Sequence, residues 1–190
     1  MIIDKSPRTR PALIVIALPV SLSNIAVEKA GLKVTLEKIN ELIGIFHSYN
    51  LPVIHAITAE TVESVTDHPA GESQPVSPEE EPRTVHHSKD DITIIKTHPD
   101  AFTGTSLEKI LWERNVNTIV LSGFSIYAGI ALTAIAAYER DFMPVLAGEA
   151  ILELQPERET PMLAVLATDY AISPVSNLRI KELIESWVNG

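Results

Sequence analysis

Residues Ala12 to Leu18 read A-L-I-V-I-A-L, an apolar run without a polar face. It is too short for a stable helix. Isoleucine and valine with no charge among them describe a strand covered on both sides, the situation of a central strand in a parallel sheet. The segment that follows, Val34 to Tyr49, carries Leu36, Ile39, Ile43 and Phe46 at helical spacing, and Asn50 closes it. Pro52 to Ile57 (PVIHAI) then supplies a second strand, with proline at the first position, where its missing N–H is tolerated.

The same alternation runs on to the end of the chain. Ile92 to Lys96 (ITIIK) is a strand, and Thr105 with Glu108 forms a capping box that opens a short helix through Leu107, Ile110 and Leu111. Asn117 to Ser122 (NTIVLS) is the next strand, Gly123 follows, and an alanine-rich helix runs from about Tyr127 to Arg140. Phe142 to Ala147 is a strand. A helix through Met162, Val165, Leu166 and Asp169 leads to a short strand near Ala171 to Val175, and a last helix buries Ile180, Leu183, Ile184 and Trp187. Short apolar runs between amphipathic segments are the pattern of βαβ units. The expected fold is an α/β three-layer sandwich, a six-stranded, mostly parallel sheet with about five helices on its two faces.

One domain over residues 1–190 suits this length, and 45% hydrophobic with 21% charged residues is enough to build a core without staples. Within it, residues 58–91 lose all periodicity, and Pro69, Gly71, Pro75, Pro78 and Pro82 sit among Glu79, Glu80 and Glu81. A loop of this length is a cover over a site or an oligomer contact. The net charge of −10 argues against nucleic acid, which needs a concentrated basic surface, and no apolar stretch reaches the roughly 20 residues that span a bilayer. Lys5, Arg8 and Arg10 before the run from Pro11 to Leu22 superficially copy a secretory signal. Asp4 breaks that pattern and no small-residue cleavage site follows, so the run reads as the first core strand and the protein as cytoplasmic.

The chain contains no cysteine, which removes disulfides, thiolate metal sites and thiol nucleophiles together. No G-x-G-x-x-G or G-x-x-x-x-G-K-[ST] follows a strand, and there is no G-x-S-x-G elbow. His86 and His87 are adjacent in the long loop, and Asp67 with His68 lacks a third ligand at fixed spacing, so neither pair indicates a metal. No cofactor is expected. In open parallel sheets ligands lie beyond the carboxyl ends of the strands. Those ends deliver Ala17 to Pro19, His55, Lys96 with His98, Gly123 to Tyr127, and Glu149.

Two of these stretches carry a family resemblance. Lys96 to Leu107 reads K-T-H-P-D-A-F-T-G-T-S-L, and Gly123 to Ala137 reads G-F-S-I-Y-A-G-I-A-L-T-A-I-A-A. Together with the opening strand they resemble the isochorismatase-like cysteine hydrolases, in which a strand-end lysine precedes A-F-x-G-T-x-L and a cysteine stands in G-V-x-T-x-x-C-V-x-x-T-A. The resemblance places the family's aspartate, lysine and cysteine on Ala17, Lys96 and Gly129, so only the lysine is kept. It also implies a non-proline cis peptide at Phe124–Ser125, sets Ile126 in place of a threonine and Ala136 in place of an aspartate, and puts Glu149 near the family's aspartate before alanine.

With neither sulfur nor relay acid, the inherited mechanism has no nucleophile. The expected function is therefore that of a catalytically inactive family member acting through a small-molecule ligand or oligomeric assembly, a homo-oligomer in keeping with its relatives. His55, Phe124, Ser125, Tyr127 and Glu149 are the candidate pocket residues and Lys96 the retained triad position. The alternative is hydrolysis of a small amide or ester without a thiol, with Lys96 assisted by His55 or a pocket hydroxyl. A flavodoxin-like ligand binder is the third reading, and the missing glycine-rich loop counts against it.

Overall fold

The structure, a computed structural model, describes residues 9–16, 30–58, 85–153 and 155–189. Ala17 and Leu18 of the expected first strand, Asp67 with His68, and most of the 58–91 loop lie outside the described residues.

Among the described residues six strands form one parallel sheet: β1 (Pro11–Ile16), β2 (Val53–Thr58), β3 (Ile92–Lys96), β4 (Thr118–Phe124), β5 (Met143–Leu152) and β6 (Pro174–Val175). Their order is β3-β2-β1-β4-β5-β6, and every pairing is parallel. The order reverses between β1 and β4, and the crevice beyond their carboxyl ends is where such sheets bind ligands. Among the described residues five α-helices cover the sheet: α1 (Ala30–Ser48), α2 (Leu107–Glu113), α3 (Ala131–Tyr138), α4 (Pro156–Asp169) and α5 (Asn177–Asn189). A π-type turn at Ile126–Ile130 leads into α3, so the single helix expected from Tyr127 is two pieces.

Successive residues of a strand point to opposite faces, and β1 shows why its run lacks alternation. Ala12, Ile14 and Ile16 pack with Leu107, Leu111, Ala131, Ala134 and Leu166 under α2, α3 and α4. Leu13 and Val15 pack with Leu36, Ile39, Phe46, Ile180 and Ile184 under α1 and α5. Phe46, fully buried, anchors the second layer; its loss to alanine should cost about 3–5 kcal/mol.

Four helix exits use a residue at positive φ: Asn50 (52°), Asn115 (54°), Asp141 (63°) and Ala171 (57°). Each turns the chain back toward the next strand. After Asn50 the Leu51 N–H reaches Phe46 O at 2.9 Å, and after Asn115 the Val116 N–H reaches Leu111 O at 2.9 Å. The expected capping box at α2 does not form. The Thr105 hydroxyl accepts from Leu107 N at 3.1 Å and donates to Ala101 O at 2.6 Å, while Glu108 pairs instead with Arg140 at 3.3 Å.

Candidate functional site

At the end of β3, Lys96 lies on the face occupied by Ile94 and the α2–α4 layer and is only 6% exposed. Its Nζ donates to His98 O at 3.0 Å and Pro99 O at 3.1 Å, carbonyls of the turn that follows it. Burial pushes its pKa below 10.5, opposed only by the nearby negative charge of Asp100. Asp100 in turn is spent on the turn, its Oδ1 accepting from Phe102 N at 2.8 Å and Thr103 N at 2.7 Å. The Ala101 N–H is held by Thr133 Oγ1 at 3.0 Å, which ties the turn to α3. The spacing in K-T-H-P-D-A-F-T-G-T is thus the hydrogen-bond plan of a turn, with Gly104 at φ 72° as its hinge.

At the end of β4 the backbone is crowded. Gly123 has φ 109°, and a Cβ there would stand 2.0 Å from Ile16 O, so no other residue fits. The Phe124–Ser125 peptide is cis, at the position the resemblance implied. Ser125 O accepts from Ala128 N at 3.3 Å and Ile130 N at 3.0 Å, closing the π-type turn. A Cβ on Gly129 would lie 2.7 Å from Phe124 O and 2.8 Å from Ile16 Cγ2. Both are well inside the ~3.5 Å at which non-bonded atoms attract. Gly129, where the resemblance sets the family's cysteine, therefore has no room for a Cβ unless its neighbours shift.

The first N–H of that turn is also taken. Tyr127 N donates to Glu153 Oε2 at 3.3 Å, while Glu153 Oε1 accepts from Gln155 N at 3.0 Å. Arg158 stands over the Tyr127 ring at 5.0 Å. Glu153 and Arg158 carry no motif spacing to Tyr127, and sequence reasoning missed both. Phe124 is half-buried, Ser125 buried and Tyr127 exposed. The Ser125 hydroxyl makes no hydrogen bond among the described residues.

Two predicted pocket residues are elsewhere. His55 shares its face of β2 with Val53, under α1, whereas Lys96 lies under α2–α4, so the sheet separates the two and His55 cannot assist Lys96. His55 instead belongs to a cluster at the foot of β3. Its Nε2 meets Asp91 Oδ2 at 3.0 Å, His47 Nε2 meets Asp91 Oδ1 at 2.7 Å, and the His87 ring stacks on His55 with centroids 3.7 Å apart. Ser88 N also donates to Asp91 Oδ2, at 2.9 Å. Burial depresses the His55 pKa below 6.5 against the pull of Asp91. Burial also resists ionisation of Asp91, but the Ser88 N–H and the two imidazoles outweigh it and hold that carboxyl below 3.8. Glu149 is the second. Between paired positions β4 advances from Leu121 to Gly123 while β5 advances from Leu146 to Ile151, and the resulting bulge carries Glu149 to the start of α5, where its Oε2 accepts from Asn177 N at 2.7 Å. His86 donates its backbone N–H to Asn40 Oδ1 at 2.8 Å. Among the described residues no group of three or more His, Asp or Glu is arranged to hold a metal ion.

The isochorismatase domain family matches residues 11–176, most of the chain and all six strands. This chain belongs to the isochorismatase family. An uncharacterised isochorismatase family protein of Escherichia coli O157:H7, YecD, is 42% identical over 69 residues, which are 36% of this chain and 37% of that protein. Solved isochorismatase folds superpose over nearly the whole length. An isochorismatase family protein from Burkholderia thailandensis matches with a TM-score of 0.68 at 23% identity, covering 97% of this chain and 100% of that one. Nicotinamidase PncA from Bacillus subtilis gives 0.66 at 21%, covering 89% and 100%. N-carbamoylsarcosine amidase from Thermoplasma acidophilum gives 0.67 at 18%, covering 88% and 96%. At these identities the likeness shows a shared fold. Among the described residues no helix is long and apolar enough to cross a membrane.

Proposed function

We propose that this chain is an isochorismatase-family member without the family's thiol chemistry, acting in the cytoplasm by ligand binding or by assembly of several copies. The observation that carries the reading is the closure around Gly129, where Phe124 O and Ile16 Cγ2 stand within 2.8 Å of any Cβ. A sulfur cannot be placed there without moving the sheet, and the chain has no cysteine to place. Two further features support it. The Lys96 ammonium serves its own turn, and the Tyr127 amide, which could otherwise face a developing anion, faces the carboxylate of Glu153. Exposed Tyr127 and Leu132 beside the turn offer apolar area for association.

The alternative of a non-thiol hydrolase loses His55 to the other face of the sheet, and the Ser125 hydroxyl has no base bonded to it among the described residues. The test is an assay of the purified chain with nicotinamide, N-carbamoylsarcosine and isochorismate, together with light scattering for its mass in solution. The expected result is no turnover above buffer and a mass above that of one copy, unchanged in Lys96→Ala. Turnover that Lys96→Ala abolishes would reverse the reading.

A further inference from the structure

The opposite end of the sheet, where β1, β2 and β4 begin, carries a cavity that the site at the carboxyl ends does not use. It holds about 470 Å³ and lies where the chain enters β1, leaves α1 and leaves α2. That volume is in the range of small-molecule sites. Its walls are apolar and aromatic, from Leu51, Val116, Trp187 and the ring of Tyr49, and Arg10 and Arg114 stand among them.

The charge of this lining is opposite to that of the protein. The chain has 25 acidic against 15 basic residues, yet among the described residues the cavity is lined by two arginines and no aspartate or glutamate. Neither guanidinium makes a hydrogen bond or ion pair among the described residues. The hydroxyl of Tyr49, whose ring lines the cavity, donates to Glu185 Oε1 at 3.1 Å. Both arginines grow from fixed backbone. Arg10 N donates to Asn117 Oδ1 at 2.8 Å and Arg10 O accepts from Asn117 N at 3.1 Å, while Arg114 N donates to Leu111 O at 3.2 Å just before the left-handed Asn115.

Two guanidiniums and an indole lining one cavity match a flat apolar molecule that ends in a carboxylate. We propose that this cavity binds a small aromatic carboxylate, its ring against Trp187 and its carboxylate between Arg10 and Arg114. The cavity is at the amino ends of the strands, opposite the carboxyl ends where Lys96 and Gly129 lie, so this inference stands independently of the catalytic reading.

The test is a titration of the ¹⁵N-labelled protein with 2-naphthoate, following the Trp187 indole N–H, which Trp112→Phe assigns by elimination. The expected result is saturable shifts with a Kd of about 1 mM or tighter. Arg10→Gln and Arg114→Gln should each weaken binding about tenfold, as should replacing the probe by uncharged 2-naphthalenemethanol, while Arg179→Gln on the outer face of α5 leaves it unchanged. The proposal is overturned by any of three results: no saturation up to about 10 mM, equal binding of the alcohol, or arginine variants that bind like the parent.

Discussion

Replacing Gly129 by alanine adds a single methyl group, and its effect on stability separates an open nucleophile position from a closed one. In an open helical position the change should stabilise, because glycine gives up more backbone freedom than alanine on folding, by about 0.5–1 kcal/mol. Here the new carbon meets Phe124 O at 2.7 Å and Ile16 Cγ2 at 2.8 Å, one of them backbone and the other on the central strand. Overpacking of this kind costs about 1–3 kcal/mol, which outweighs the entropic gain and reverses the sign. For a chain of 190 residues that corresponds to a fall in Tm of roughly 2–12 °C. Gly44, on the exposed side of α1 with nothing within 4 Å of a Cβ, provides the control, and Gly44→Ala should raise stability by up to about 1 kcal/mol. Urea denaturation followed by tryptophan fluorescence reads both variants. If Gly129→Ala is as stable as the parent, or stabilises as Gly44→Ala does, the argument that position 129 is closed to a side chain loses its support.

The Asp91 cluster predicts a pH dependence. The folded-state pKa of His55 lies below 6.5, so its contribution is complete above pH 6.5 and declines as pH falls through that value, because the unfolded chain takes up the proton first. Asp91, held below 3.8, adds a second decline as pH falls through 3.8 toward its lower folded value. Urea midpoints from pH 8 to pH 3 should fall in these two windows, and Asp91→Asn should lose about 2–3 kcal/mol at pH 7 by removing the charged acceptor. Lys96 gives a further window of the same sign at high pH. Its folded pKa is below 10.5, so stability should climb as pH rises through the folded value toward 10.5, and Lys96→Met should lack that climb relative to the parent in the same midpoints.

The strands were legible where composition alone decides. Ile92 to Lys96 was bounded correctly because five residues of I-T-I-I-K sit between a turn and a proline, and Asn50 was correctly read as a stop because asparagine tolerates the left-handed region its φ of 52° occupies. What could not be read is which face a residue takes in a strand buried on both sides. Val53, Ile54 and Ala56 are all buried, so no alternation told which way His55 pointed, and only the register with β1 places it under α1. Strand β5 was expected to stop at Ala147 but continues to Leu152 through a bulge, which removed Glu149 from the candidate pocket. The long-range partners Asp91, Glu153 and Arg158 left no signal, since a contact set by tertiary packing has no fixed spacing in the chain.

The proximity of Gly129 to Ile16 also fixes an order on any sequence of substitutions at this end of the sheet. A larger residue at 129 becomes tolerable only after Ile16 has been shortened and the Phe124 carbonyl has found another place, and neither change brings a benefit alone. Paths toward a side chain at this point therefore pass through less stable intermediates, so the present arrangement is a local optimum with a barrier around it.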